Sequence, residues 1–134
     1  KVFNYGKMIR DFTYIDDVVE SIFRCTFKKA TSNKFFNTND PDLATSKAPH
    51  LILNIGNSKS VELLKFIDIL EKNLGKKAIK EFHPIEKGDV LNTYADNSNL
   101  QNWINFSPSI SIEVGLKKFA NWYKDYHSNC QNKI

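Results

Sequence analysis

Arg10 is the residue with the most to account for. It stands in "GKMIRDFTYIDDVVESIFR", Gly6 to Arg24, directly before Asp11 and shortly before the pair Asp16-Asp17. The stretch around it is expected to be half-buried, and an arginine there needs a partner. Two partners suit a guanidinium. One is a phosphate group, which the planar fork of donors grips through parallel bonds. The other is a carboxylate of the chain itself, Asp11 or Asp17. The residue types leave both open.

A second cluster is "EKGDVLNTYAD", Glu86 to Asp96. Gly88 marks a loop and Asp89 follows it. A loop aspartate accepts hydrogen bonds from ribose hydroxyls, or it stabilises its own turn. Asp16 and Asp17 look at first like a carboxylate pair for acid-base work. Adjacent residues do not face each other on a helix, so helix-start chemistry is the better reading. His50, His83 and His127 have no metal-ligand spacing, and no metal site is expected. The chain has no glycine-rich dinucleotide loop, no phosphate loop of the Walker type and no GxSxG. No catalytic residue is expected in it.

The elements that must hold these residues follow from periodicity. Lys1 to Ile15 reads as extended, broken by a turn at Asn4-Tyr5-Gly6. Asp16 and Asp17 supply N-cap chemistry for a helix to about Lys29, with Val19, Ile22, Phe23 and Thr26 as its apolar face. Ala30 to His50 is polar and aperiodic, a long loop. Leu51 to Ile55 reads as a short buried strand ended by Gly56-Asn57, where Asn54 and Gly56 have structural roles at a tight turn. Ser60 is placed to cap a helix whose buried stripe is Leu63, Phe66, Ile67, Leu70 and Leu74, with Gly75 after its end. Ala78 to His83 is a third strand candidate, stopped by Pro84. Asp96 caps a short helix to Ile104, with Asn105 in a left-handed position. Ser111 caps a last helix carrying Leu116, Phe119, Ala120 and Tyr123 on one face. The tail from Ser128 is polar and expected to fray.

The bulk numbers set the frame. The 134 residues fit one domain, with 41% hydrophobic and 25% charged residues and a net charge of +4. The lysines come in scattered pairs and the arginines number only two, so the charge reads as a solvated surface and not as a nucleic-acid interface. Cys25 and Cys130 form no CxxC pair and read as reduced thiols of a cytoplasmic protein. No apolar run is long enough for a membrane span. The opening Lys1-Val2-Phe3, strand-like and without an initiator Met, reads as the middle of a longer polypeptide.

Five stretches in fixed order carry a resemblance: "RDFTYIDDVV", "LNIGN", "VELLKFIDILEKNLGKKA", "KGDVLNTYAD" and "PSISIEVGLKKFANWYKDY". Together they resemble the C-terminal part of the extended short-chain dehydrogenase/reductases that act as NAD-dependent nucleotide-sugar epimerases and dehydratases. The long loop and the "GDVLNTYAD" wording are most similar to UDP-glucuronate 4-epimerases. The resemblance implies an α/β enzyme whose leading Rossmann domain carries the NAD loop and a Tyr-x-x-x-Lys pair. Tyr14, Tyr94, Tyr123 and Tyr126 have no lysine four residues on. Residues 1–127 would then be a nucleotide-sugar-binding domain, α+β by itself, with short strands packed on about four helices. Residues 128–134 would be a flexible tail.

The same resemblance implies partners and roles. Arg10 would meet the diphosphate of a UDP-sugar and Asp89 its uridine ribose. Relatives acting on UDP-galactose have an arginine two residues before the glycine. Here Glu86 takes that place and would repel phosphates, while Lys87 offers a point charge without the fork. NAD would be bound by the Rossmann domain and not by this chain. The whole enzyme would pass a hydride to NAD and back to the other face of a keto-sugar, interconverting UDP-glucuronate and UDP-galacturonate, and this chain alone would be inactive; the alternatives are another nucleotide-sugar epimerase or dehydratase, or a non-catalytic assembly module. Its other expected partners are that Rossmann domain and a second copy of itself.

Overall fold

A computed structural model describes residues 1–131. Its elements are β1 (Ile9–Asp11), α1 (Ile15–Thr26), β2 (Ser60–Glu62), α2 (Leu63–Leu74), α3 (Ser98–Ile104) and α4 (Ile112–Gln131). The tail read from the sequence overlaps α4 up to Gln131, and residues 132–134 lie outside the described ones.

β1 is the centre of the polar half of the molecule. It pairs antiparallel with β2, Arg10 opposite Val61. On its other edge Ile9 pairs parallel with Asn92: the Ile9 N–H donates to Leu91 O at 3.0 Å, and the Thr93 N–H donates to Ile9 O at 3.2 Å. The loop ending in 91–93 is thereby laid alongside Arg10. Before β1, Asn4, Tyr5 and Gly6 all have positive φ, which fits the turn expected there. Gly6 is required because a Cβ would lie 2.7 Å from the Leu64 side chain.

α2 and α4 form the main helix pair. The α2 stripe is half-buried as its period predicts, and Gly75 closes the helix at φ 73. Asn105 ends α3 in the left-handed region, and the Val114 N–H donates to Ser111 Oγ at 3.4 Å at the start of α4. Leu116 and Ala120 are buried, as expected, but Phe119 and Tyr123 from the same predicted face stay exposed.

Five local expectations need correction. Asp96 precedes the N-cap of α3, which is Asn97, although its carboxylate accepts the Ser98 N–H at 2.9 Å. Asp16 and Asp17 lie in the first turn of α1 and not at its N-cap, which is Tyr14. Ser60 belongs to β2, and its hydroxyl donates to Thr93 O at 2.8 Å instead of capping α2. Leu51 to Ile55 is not a buried strand: only Leu51 bridges, to Thr45, and Ile52 is 53% exposed. Among the described residues it has no strand to complete its ladder. Ala78 to His83 contributes a single bridge, Phe82 to Val2; the left-handed turn at Asn4-Tyr5 interrupts the ladder there, leaving one further bond, from the Tyr5 N–H to His83 O at 3.0 Å.

The largest reversal is α1. Val19, Ile22 and Phe23, the predicted core face, are 53–57% exposed. The opposite face is the inner one, with Asp17 and Ser21 buried. Two things turn the helix this way. The Asp17 carboxylate accepts the Ser109 and Ile110 N–H groups at 2.9 and 2.8 Å. Ser21 is small and satisfies its own hydroxyl on Asp17 O at 2.7 Å, so α3 packs close, with Leu100 fully buried. Two basic side chains clamp the far end: Lys28 lies 4.3 Å over the Trp103 ring and Arg24 lies 4.6 Å over Phe106.

Candidate functional site

The structure brings Arg10 and Asp89 together. Arg10 Nη2 lies 3.8 Å from Asp89 Oδ1, an ion pair longer than a hydrogen bond. The side chains are 24% and 40% exposed, so the pair sits at the surface. The guanidinium is held from behind: Nη1 donates to Ile9 O at 3.0 Å, and Nη2 lies 3.6 Å from Met8 Sδ. Of its five N–H donors, several remain free to meet a ligand. Neither carboxylate first considered as its internal partner is the one it meets. Asp17 is bound to the 109–110 main chain, and Asp11 faces other donors.

Asp89 reaches this position through a compact turn. Its N–H donates to Glu86 O at 3.2 Å, and Gly88 has φ 91. Glu86 and Lys87 are exposed in the same turn. The patch therefore presents Arg10 and Lys87 with Glu86 and Asp89, two charges of each sign. The Arg10–Asp89 contact at 3.8 Å is loose and partly exposed, so little is lost if an anion replaces the carboxylate beside Arg10.

Beneath the patch is a frame that the sequence reading missed. The Asp11 carboxylate accepts three main-chain N–H groups, those of Asn57 at 3.1 Å, Ser58 at 3.0 Å and Ala95 at 3.0 Å. Its own N–H donates to Thr93 Oγ1 at 3.0 Å. The Ser58 hydroxyl donates to Ala95 O at 2.7 Å, and the Asn97 side chain exchanges hydrogen bonds with the Gly56 main chain in both directions. Gly56 is needed for close approach: a Cβ there would overlap Ala95 and lie 3.0 Å from Asp11 Oδ2. The residue that turns left-handed is Ser58, at φ 54, and not Gly56. One signal was available in the sequence. Aspartate is disfavoured within strands, and one directly after Arg10 points to the opposite face.

Two clefts flank this frame. A polar one of about 300 Å³ is lined by Asp11, Thr13, Asn54, Gly56, Thr93 and Tyr94, among others. An apolar one of about 280 Å³ lies between the segment entering α1, α2 and the start of α4, with Phe12, Tyr14, Ile15, Phe66, Leu116 and Phe119 on its wall. Among the described residues no cluster of three His, Cys, Asp or Glu side chains is arranged to hold a metal. No helix is long and apolar enough to cross a membrane among them. The glycines do not fit a dinucleotide either. Gly6, Gly56 and Gly115 are packed against Leu64, Ala95 and Tyr14, while Gly75 and Gly88 stand singly at open turns. No backbone cradle for the NAD pyrophosphate is formed by these glycines.

No family model matches the chain. It is 44% identical over 126 residues to protein CapI of Staphylococcus aureus, covering 94% of this chain and 38% of that protein. It is 37% identical over 134 residues to a probable UDP-glucuronate 4-epimerase of Rhizobium meliloti, covering 99% of this chain and 39% of the relative. Its fold matches the UDP-glucuronic acid 4-epimerase of Bacillus cereus solved with UDP-glucuronic acid and NAD, at a TM-score of 0.69 and 28% identity. That match covers 93% of this chain and 35% of the other. The chain thus spans little more than a third of the length of these three proteins.

Proposed function

We propose that this chain, related over about a third of their length to UDP-glucuronate 4-epimerases of the extended short-chain dehydrogenase/reductases, is the nucleotide-holding part of such an enzyme. Arg10 grips the diphosphate of a UDP-sugar and Asp89 accepts from the uridine ribose. Lys87 adds unforked positive charge at the rim. The observation that carries this reading is the pairing of Arg10 with Asp89 across 79 residues of sequence, on a supported guanidinium with donors to spare. The sugar is glucuronate in this reading because the curated relatives include several UDP-glucuronate 4-epimerases. The chain is a cytoplasmic component that does no chemistry alone. The NAD site and the proton-transferring tyrosine belong to a Rossmann part packed against it, and α1 offers that part an apolar face.

The test is an equilibrium titration of the 134-residue chain with UDP. Saturable binding that weakens with added salt is expected. Arg10→Ala is expected to weaken it about 10- to 100-fold, the worth of a charge-assisted contact of about 1.5–3 kcal/mol. With NAD and UDP-glucuronate added, the same preparation is expected to form no epimer above background. Unchanged affinity in Arg10→Ala, or turnover by the chain alone, overturns the proposal.

A further inference from the structure

We propose that Asp11 is a positioning residue for the nucleotide site, fixing where Asp89 stands relative to Arg10; the inference rests on the UDP reading above and deepens it. Arg10 and Asp11 are consecutive in β1, so their side chains leave the strand on opposite faces. Arg10 points to the ligand side. Asp11 points into the frame and holds the 57–58 turn and Ala95 on one carboxylate.

The stretch it secures is the foot of the Asp89 loop. Residues 91–95 are attached to β1 at Leu91, Thr93 and Ala95, and to 58–60 through the Ser58 and Ser60 hydroxyls. The turn above it, Glu86 to Asp89, is closed by the Asp89 to Glu86 bond and faces Arg10 across the 3.8 Å ion pair. Its place over Arg10 is set by its two ends, His83 held on Val2 and Tyr5 and the foot at 91–95, and Asp11 secures the second. Three donors converge on Asp11, and an anion with two oxygens is the side chain that receives them all. An asparagine cannot. Its amide nitrogen would face an N–H group, donor against donor, and at least one tether would open.

Asp11→Asn is therefore expected to weaken UDP binding about tenfold at a temperature where its circular dichroism matches the parent, the scale of one charge-assisted contact. Coupling separates positioning from bulk destabilisation. If Asp11 acts by placing Asp89, then Asp11→Asn in an Asp89→Ala background costs less than about twofold more. The same fold loss in both backgrounds overturns the proposal. So does a lowered melting temperature with unchanged affinity.

A ligand-free readout covers the case in which UDP does not bind. The Arg10 Nε–H resonance of the free chain is expected to shift in Asp89→Ala, and to shift in the same direction in Asp11→Asn. A resonance that moves in a chain without UDP affinity sinks the nucleotide reading and leaves the placement standing. A resonance that stays put in Asp11→Asn sinks the placement. Should Asp11→Asn fail to fold, Thr93→Val removes only the acceptor of the Asp11 N–H, and a smaller shift of the same sign is expected; no shift counts against the proposal.

Discussion

Glu71 is a buried carboxylate with three donors: Lys80 Nζ at 2.6 Å, Lys77 Nζ at 2.9 Å and the Ala78 N–H at 2.9 Å. The Lys80 and Lys77 hydrogen bonds, in that order, pull its pKa down from 4.5 to about 2. The unfolded chain then holds more protons than the folded one between those values. The contribution of this carboxylate is complete above about pH 4.5 and is lost as the pH falls towards 2. The gap in melting temperature between the parent and Glu71→Gln is expected to be widest near neutrality and to close towards pH 2. A gap that does not change with pH contradicts this. At this scale the sequence was legible where the partner is a near neighbour. Gly75, Asn105 and Ser111 close or open helices as their residue types predict. Asp11 and Asp17 were misjudged because their partners lie 46 to 93 residues away. No local pattern encodes such a donor.

α1 shows what an amphipathic pattern does and does not fix. The period identified the helix and its apolar stripe correctly, but that stripe faces outward. Periodicity says that a face is to be covered, and it does not say by what. Here the inner face is set by the Asp17 carboxylate and the small Ser21, against the fully buried Leu100 of α3. Urea unfolding at low concentration should separate the two faces. Ile22→Lys is expected to change stability by no more than about 0.5 kcal/mol, as at a surface site. Leu100→Ala is expected to cost about 2–5 kcal/mol, because it empties the tightest part of the core. Comparable losses in both variants would mean that α1 faces inward. The strands were over-read for a related reason. Leu51 to Ile55 and Ala78 to His83 have strand composition, but a strand is defined by its neighbour, and one bridge each is what the described residues supply.

The whole molecule exposes more surface than its mass predicts. Its accessible area is 9958 Å², whereas a compact monomer of 15.5 kDa exposes about 7,200 Å². Among the described residues Val2, Met8, Leu100, Leu116 and Ala120 are the buried hydrophobic side chains, and buried polar groups such as Asp17, Asn57, Glu71 and Asn97 tie the rest together. The fold class was legible from the order of helices and short strands. The size of the uncovered surface was not, because it depends on which face of each helix turns in. The apolar run from Val19 and Ile22 of α1, past the cleft at Ile15, to Phe119 of α4 is left uncovered, and on the proposed function it is the face turned to a Rossmann part. Without such a cover, self-association at high concentration is expected by light scattering, weakened by Ile22→Lys. A monomer at all concentrations would count against a face that needs covering.

The central claim is that the guanidinium beside Asp89 meets a diphosphate, and the side-chain spectrum of the chain's two arginines during a UDP titration tests it most directly. The Arg10 Nε–H resonance is predicted to move and saturate with UDP while that of Arg24 stays, and uridine without phosphates is predicted to leave both in place. An Arg10 signal that UDP does not move, while Arg24 shifts or neither does, would contradict the account.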